Sequence, residues 1–138
     1  MTGESLVGEF KLQRQKNGIG YFGAVKVEVS RAASEEDVVV WSVPNDDRTS
    51  IQPTMDSEFV DAAVAGVKQG RDIVRNLGVD VSDYRIAIVH SQLNLTDIEE
   101  TAVRAAGALA VATAFGVEDR VELRFDAGWH VAPVTSGA

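Results

Sequence analysis

GIGYFGAV, residues 18–25, fits the pattern G-x-G-x-x-G-x-V. The same eight letters suit a phosphate cradle and a hairpin turn, and the choice between them decides the fold. A dinucleotide site needs its third glycine to open a helix, because the helix N-terminus holds the pyrophosphate. Here Gly23 is followed by AVKVEV, residues 24–29, which alternates with period two and is a strand. A kinase glycine loop does lie in a hairpin, but the H-R-D-x-x-x-x-N and D-F-G segments that its chemistry requires are absent. The DAG at 126–128 reads as a turn, and 138 residues are too few for a kinase domain. What remains is a tight turn at Asn17-Gly18, with Gly18 or Gly20 expected at positive φ.

Working outward, residues 9–15 (EFKLQRQ) alternate through Phe10 and Leu12, and residues 21–29 alternate through Val25, Val27 and Val29. These predict two antiparallel strands. Residues 37–43 (DVVVWSV) predict a third, more apolar and better buried strand. The polar stretch PNDDRTSIQP leads into a helix over 54–77, whose stripe is Phe59, Ala63, Val67, Gly70, Val74 and Leu77, with Gly78 as a stop. Residues 84–89 (YRIAIV) predict a fourth strand. Thr96-x-x-Glu99 reads as a capping box opening an alanine-rich helix over 97–115. RVELRF and WHVAPV read as two closing strands around DAG.

The order β-β-β-α-β-α, with a short C-terminal β tail, predicts an α+β two-layer sandwich. A single domain is expected over 1–138, with a core at 9–116 and a β extension at 117–138. Phe59, Val67, Val74, Leu109 and Phe115 are the expected core contacts of the helices.

Bulk composition narrows the function classes. The chain is 45% hydrophobic and 25% charged, as ordinary globular domains are. It has no cysteine, which removes disulfides, thiolate metal sites and thiol nucleophiles. No apolar run reaches the roughly 20 residues of a membrane span, and MTGESLVGEF lacks a basic region followed by an apolar one. A cytoplasmic protein is expected, without a membrane partner. The net charge of −8 opposes nonspecific polyphosphate binding, so no DNA partner is expected. The acids concentrate in 34–61, whereas 1–30 holds Lys11, Arg14, Lys16 and Lys26 against Glu4, Glu9 and Glu28.

The segment QKNGIGYFGAVKVEV, residues 15–29, resembles the start of domain IV of translation elongation factor G. Gln15, Gly18, Gly20, Phe22, Gly23 and Val25 match that family's glycine-rich hairpin; Asn17 and Tyr21 replace a glycine and a glutamine. In FVDAAVAGVKQG, residues Phe59, Val60, Ala62, Ala63, Gly66 and Val67 fall in step with the family's first helix. DYRIAIV, a loop, an acid and ETAVRAAGALA follow as its strand, tip loop and alanine-rich helix do. The resemblance covers about residues 9–116 and implies the fold of ribosomal protein S5 domain 2, with two helices on one face of a mixed sheet and a left-handed crossover. It also implies two tips that touch RNA in the decoding centre. The match departs at Asn94, which stands where the family has a histidine, while Asp97 keeps the acid. There is no G-x-x-x-x-G-K-[ST], hence no GTPase chemistry in this segment.

Other constellations are weaker. His90 and His130 have no ligand spacing that would join them to Asp46 or Asp97 on a metal. Ser91 and Lys68 lack the flanking motif of a Ser–Lys protease. The pairs Asp46-Asp47 and Glu99-Glu100 fit a loop and a helix N-terminus. Lys68, Arg71 and Arg75 form a basic ridge on the first helix that nearby acids such as Asp72 balance. The chain is therefore expected to have no catalytic residue, metal or cofactor, and to be a translation-related, stand-alone interaction or regulatory module. The alternative is an RNA- or ribosome-binding factor. The candidate contacts are Arg14, Gln15, Lys16, Asn17, Gly18, Gly20 and Tyr21 on the hairpin, with Asn94 and Asp97 in the second loop.

Overall fold

Asn17 (φ 55°) and Gly18 (φ 81°) supply the two positive dihedrals of a two-residue type I′ turn, whose twist matches that of the strands it joins. Around them β1 (Leu6–Lys16) and β2 (Ile19–Arg31) pair antiparallel without a break, from Lys16↔Ile19 back to Leu6↔Val29. The structure, a computed structural model, describes residues 6–31 and 38–134. β2 also pairs antiparallel with β4 (Tyr84–His90), with a register shift at Lys26/Val27. β3 (Val39–Trp41) lies parallel to β4, giving the order β1-β2-β4-β3. Parallel neighbours need a long crossover, and α1 (Ser57–Asn76) supplies it.

The result is a mixed α+β sandwich: a four-stranded sheet, two helices, and a separate two-stranded sheet of β5 (Val121–Phe125) and β6 (Trp129–Pro133). The alternation of β2 places Val25, Val27 and Val29 in the core, where Leu12, Ile86 and Ile88 join them. α2 (Glu100–Ala114) packs on β1 and β2, on α1, and on β6, so that its alanines are buried on several sides. A helix enclosed in this way must be apolar nearly all round.

Four details differ from the sequence expectation. β3 is shorter and only half-buried, because it forms the sheet edge and has β4 alone as a partner; residue 37 and its acidic neighbours Glu35 and Glu36 lie outside the described residues. α1 begins at Ser57 rather than 54, since the N–H groups of Met55 and Asp56 donate to the Gln52 carbonyl (3.1 and 2.7 Å) and close a turn first. The Thr96–Glu99 capping box does not form. Ile98 instead bridges Phe22 of β2, and the extended Glu99 caps α2 by accepting from the Ala102 N–H at 3.0 Å. Phe59 and Phe115 are half-buried, while Val67, Val74 and Leu109 are buried. Phe115 lies edge-on to Tyr84 at 5.5 Å between ring centroids.

The helices meet backbone to backbone. A Cβ on Gly66 would run into the Arg104 carbonyl oxygen, and one on Gly70 would lie 2.7 Å from the Ala108 carbonyl oxygen. The matching order of these contacts makes α1 and α2 parallel. Gly23 of β2 likewise sits directly beneath the Ala102–Val103 peptide. At an open helical site, Gly→Ala stabilises by roughly 0.5–1 kcal/mol. Gly66→Ala should instead destabilise by about 1–3 kcal/mol, because the methyl overpacks against backbone that cannot give way. Urea denaturation checks the sign.

Candidate partner-binding tip

The hairpin carries five of the candidate contacts to its far end. Arg14, Gln15, Lys16, Asn17 and Gly18 are exposed, while Gly20 and Tyr21 are half-buried. Positive φ is taken by Asn17 and Gly18, not by Gly20. Gly20 instead faces the second loop: a Cβ there would lie 2.7 Å from the Asp97 carboxylate. Asp97 belongs to the loop after β4, so Gly20 is where the hairpin meets the second loop.

That contact is fixed by the backbone. The Phe22 N–H donates to the Asp97 carbonyl (2.8 Å), and the Glu99 N–H donates to the Phe22 carbonyl (3.2 Å). Phe22 and Ile98 thus form a parallel bridge, and Phe22 is 2% exposed. Within the loop, the Asn94 side-chain oxygen accepts from the N–H groups of Thr96 (2.9 Å) and Asp97 (2.8 Å). Such turns suit asparagine, and its side-chain oxygen is committed inside the loop. The structure therefore brings Asp97 to Gly20, whereas Asn94 shapes the loop from within.

Two exposed apolar residues escaped the sequence reading: Ile19 on the hairpin (56% exposed) and Leu95 at the crest of the second loop (89%). Their only sequence signal is an isoleucine beside the turn glycine and a leucine inside a polar loop. An aromatic support was missed as well. Tyr21 packs against Phe125 and Trp129 (centroids 5.5 and 5.9 Å apart), and the Lys16 ammonium lies 5.6 Å from the Trp129 ring centre and 5.8 Å from that of Phe125. The β5–β6 hairpin is held there by the Trp129 N–H, which donates to Thr101 Oγ1 at 2.9 Å; that hydroxyl donates in turn to Glu99. Lys16 is thus partly steered by cation–π attraction.

The other constellations are dispersed. Ser91 is fully buried and its hydroxyl donates to the Ala24 carbonyl (2.6 Å), so it has no nucleophilic role with Lys68, which is exposed on α1. Arg75 of the basic ridge pairs with Asp72 at 3.0 Å. His90 lies 3.0 Å from Thr49 Oγ1 and 3.9 Å from Asp47, not beside Asp46 or Asp97. Among the described residues, no group of three His, Cys, Asp or Glu side chains could hold a metal. Among the described residues, no helix is long and apolar enough to cross a membrane.

The Thr49 hydroxyl and N–H both donate to Asp47, holding its carboxyl below the usual aspartate range, with a small further push from His90. A lowered folded-state pKa means that this contact favours the folded loop above the ordinary aspartate pKa, and that its contribution is lost as pH falls through the lowered value. A carboxyl NMR titration should find the Asp47 midpoint low, and Thr49→Val should move it back up.

No family model and no curated protein matches the chain. Among solved structures it is similar to the crystal structure of ttk003000868 from Thermus thermophilus, with a TM-score of 0.60 and 14% identity. The match covers 93% of this chain and 23% of the Thermus chain, so this chain spans about a quarter of that protein's length. At that identity the likeness concerns the fold alone.

The two tip glycines should respond differently. Gly18→Val should cost about 1–3 kcal/mol, because a β-branched residue is strained at φ 81°. Gly20→Ala should cost less than about 1 kcal/mol, since the Asp97 carboxylate can swing aside. Thermal melts of the two variants rank the costs, and the Asp97 chemical shift in Gly20→Ala reports the displacement.

Proposed function

We propose that this chain is a relative of elongation factor G domain IV that acts, without catalysis, as a protein-interaction module in the cytoplasm, binding through its paired tips. The observation that carries this is the exposure of Leu95 and Ile19 on two loops joined through Phe22 and Asp97. Apolar residues on loops that a rigid scaffold holds in place are the usual makings of a contact surface. The acidic loop at 44–56, with Asp46, Asp47 and Asp56, disfavours a phosphate backbone alongside. The resemblance in residues 15–29 supports the domain IV relationship.

One observation favours RNA or ribosome binding as a second reading: Arg14 and Lys16 are exposed on the hairpin. Affinity capture and ribosome co-sedimentation at low ionic strength, run with two double variants, separate the readings. With a protein partner, Ile19→Asp/Leu95→Asp should lose the captured species and Arg14→Glu/Lys16→Glu should keep it. With RNA, the charge reversal should abolish binding, and the logarithmic salt slope should be shallow, on the order of −1 to −3, because so few bases contribute. Retention of the partner by the Ile19→Asp/Leu95→Asp variant would sink the interaction-module reading.

A further inference from the structure

The sheet order β1-β2-β4-β3 leaves the outer side of β1 without a strand among the described residues. This edge is long, running from Leu6 to Lys16. In a two-residue hairpin the closing pair, here Lys16–Ile19, exchanges both backbone hydrogen bonds, and bonded and non-bonded pairs alternate from there. The β1–β2 register is continuous, so even-numbered residues of β1 turn their N–H and C=O groups to β2 and odd-numbered residues 7–15 turn theirs outward. The side chains of those odd residues are all exposed, on the sheet face away from the helices. β5 and β6 pair only with each other and do not close this edge.

We propose that β1 pairs antiparallel with β1 of a second copy of this chain, on a twofold axis through Phe10. Glu9 of each copy then faces Lys11 of the other, and these are outward-turned residues, so each of the two pairs also exchanges both backbone hydrogen bonds. Opposite charges facing each other across a strand pair are favourable. Phe10, half-buried at the edge, meets its own copy in the non-bonded position, where side chains approach most closely. Val7 faces Gln13. Sliding one strand by two residues either way sets Glu9 against Glu9 or Lys11 against Lys11. Charged side chains normally protect an edge from pairing; here their order favours one register and opposes its neighbours. Two four-stranded sheets become one of eight. The ladder covers residues 6–14, so both hairpin tips extend past it at opposite ends. The proposal does not depend on what the tips bind.

Sedimentation of the 138-residue chain, from micromolar to millimolar concentration at low salt, tests it. The expected result is a monomer–dimer equilibrium that weakens with salt, as exposed charge pairs are screened. As dimer forms, the amide protons of Glu9 and Lys11 should gain protection from exchange. Glu9→Lys and Lys11→Glu, each replacing two attractions with two repulsions, should raise the dimer Kd at least about tenfold. Mixing these two variants should restore dimer, because Lys faces Glu at both pairs of the mixed species. A wild-type chain that stays monomeric at millimolar concentration overturns the proposal. So does a dimer whose β1 amides remain unprotected, or a mixture that fails to recover dimer.

Discussion

The closeness of α2 to its neighbours is the constraint on which the rest of the structure depends. Gly23 lets the helix backbone rest on β2, and Gly66 lets α1 rest on the Arg104 carbonyl. At these closest contacts small residues are needed, and Ala102, Ala105, Ala106 and Ala108 of α2 are all buried. Alanine also has the highest intrinsic helix propensity, so the composition that permits the approach also favours the helix. Close packing of small residues at these contacts complements the larger side chains, such as Leu12, Ile86 and Ile88, that fill the core elsewhere.

Seating α2 there determines where its first turn begins, and the paired tips follow. Glu99 caps the helix while its own N–H reaches back to Phe22. The residues just before it are drawn into an extended bridge with β2, which fixes Asp97 over Gly20 and lifts Leu95 to the crest of the loop. Thr101, in the same first turn, receives the Trp129 N–H and so ties the C-terminal hairpin under Lys16 and Tyr21. Three segments distant in sequence are organised by one helix N-terminus.

The sequence carried the local half of this arrangement. The Asn17-Gly18 turn, the period-two strands and the helical stripe of α1 are properties of neighbouring residues, and each was legible. Gly18 was a turn glycine for the expected reason. Gly20 looked like another, but it takes ordinary φ and packs against Asp97 of a loop more than seventy residues away, which no local pattern reports. The Thr96–Glu99 motif misled for a related reason: its spacing is that of a capping box, yet the bridge to Phe22 outweighs the helical geometry the box requires. Phe59 read as core because it lies on the apolar stripe, but it falls in the first turn, where the helix is only partly covered. Tertiary contacts decided each of these, as they did the exposure of Ile19 and Leu95.

Several chemistry-bearing side chains are spent on internal hydrogen bonds. Ser91 spends its hydroxyl on the Ala24 carbonyl, Ser50 on the carbonyls of Ser91 and Ile51, and Thr49 joins Asp47 to His90. These bonds pin the 44–56 loop to the strand end at residues 90–93, where the N–H groups of Ile51 and Leu93 also donate to the carbonyls of Ser91 and Thr49. A hydroxyl buried and donating to a backbone carbonyl is neither accessible nor activated, because a nucleophile needs a base placed to take its proton. The polar groups in this region thus hold loop geometry.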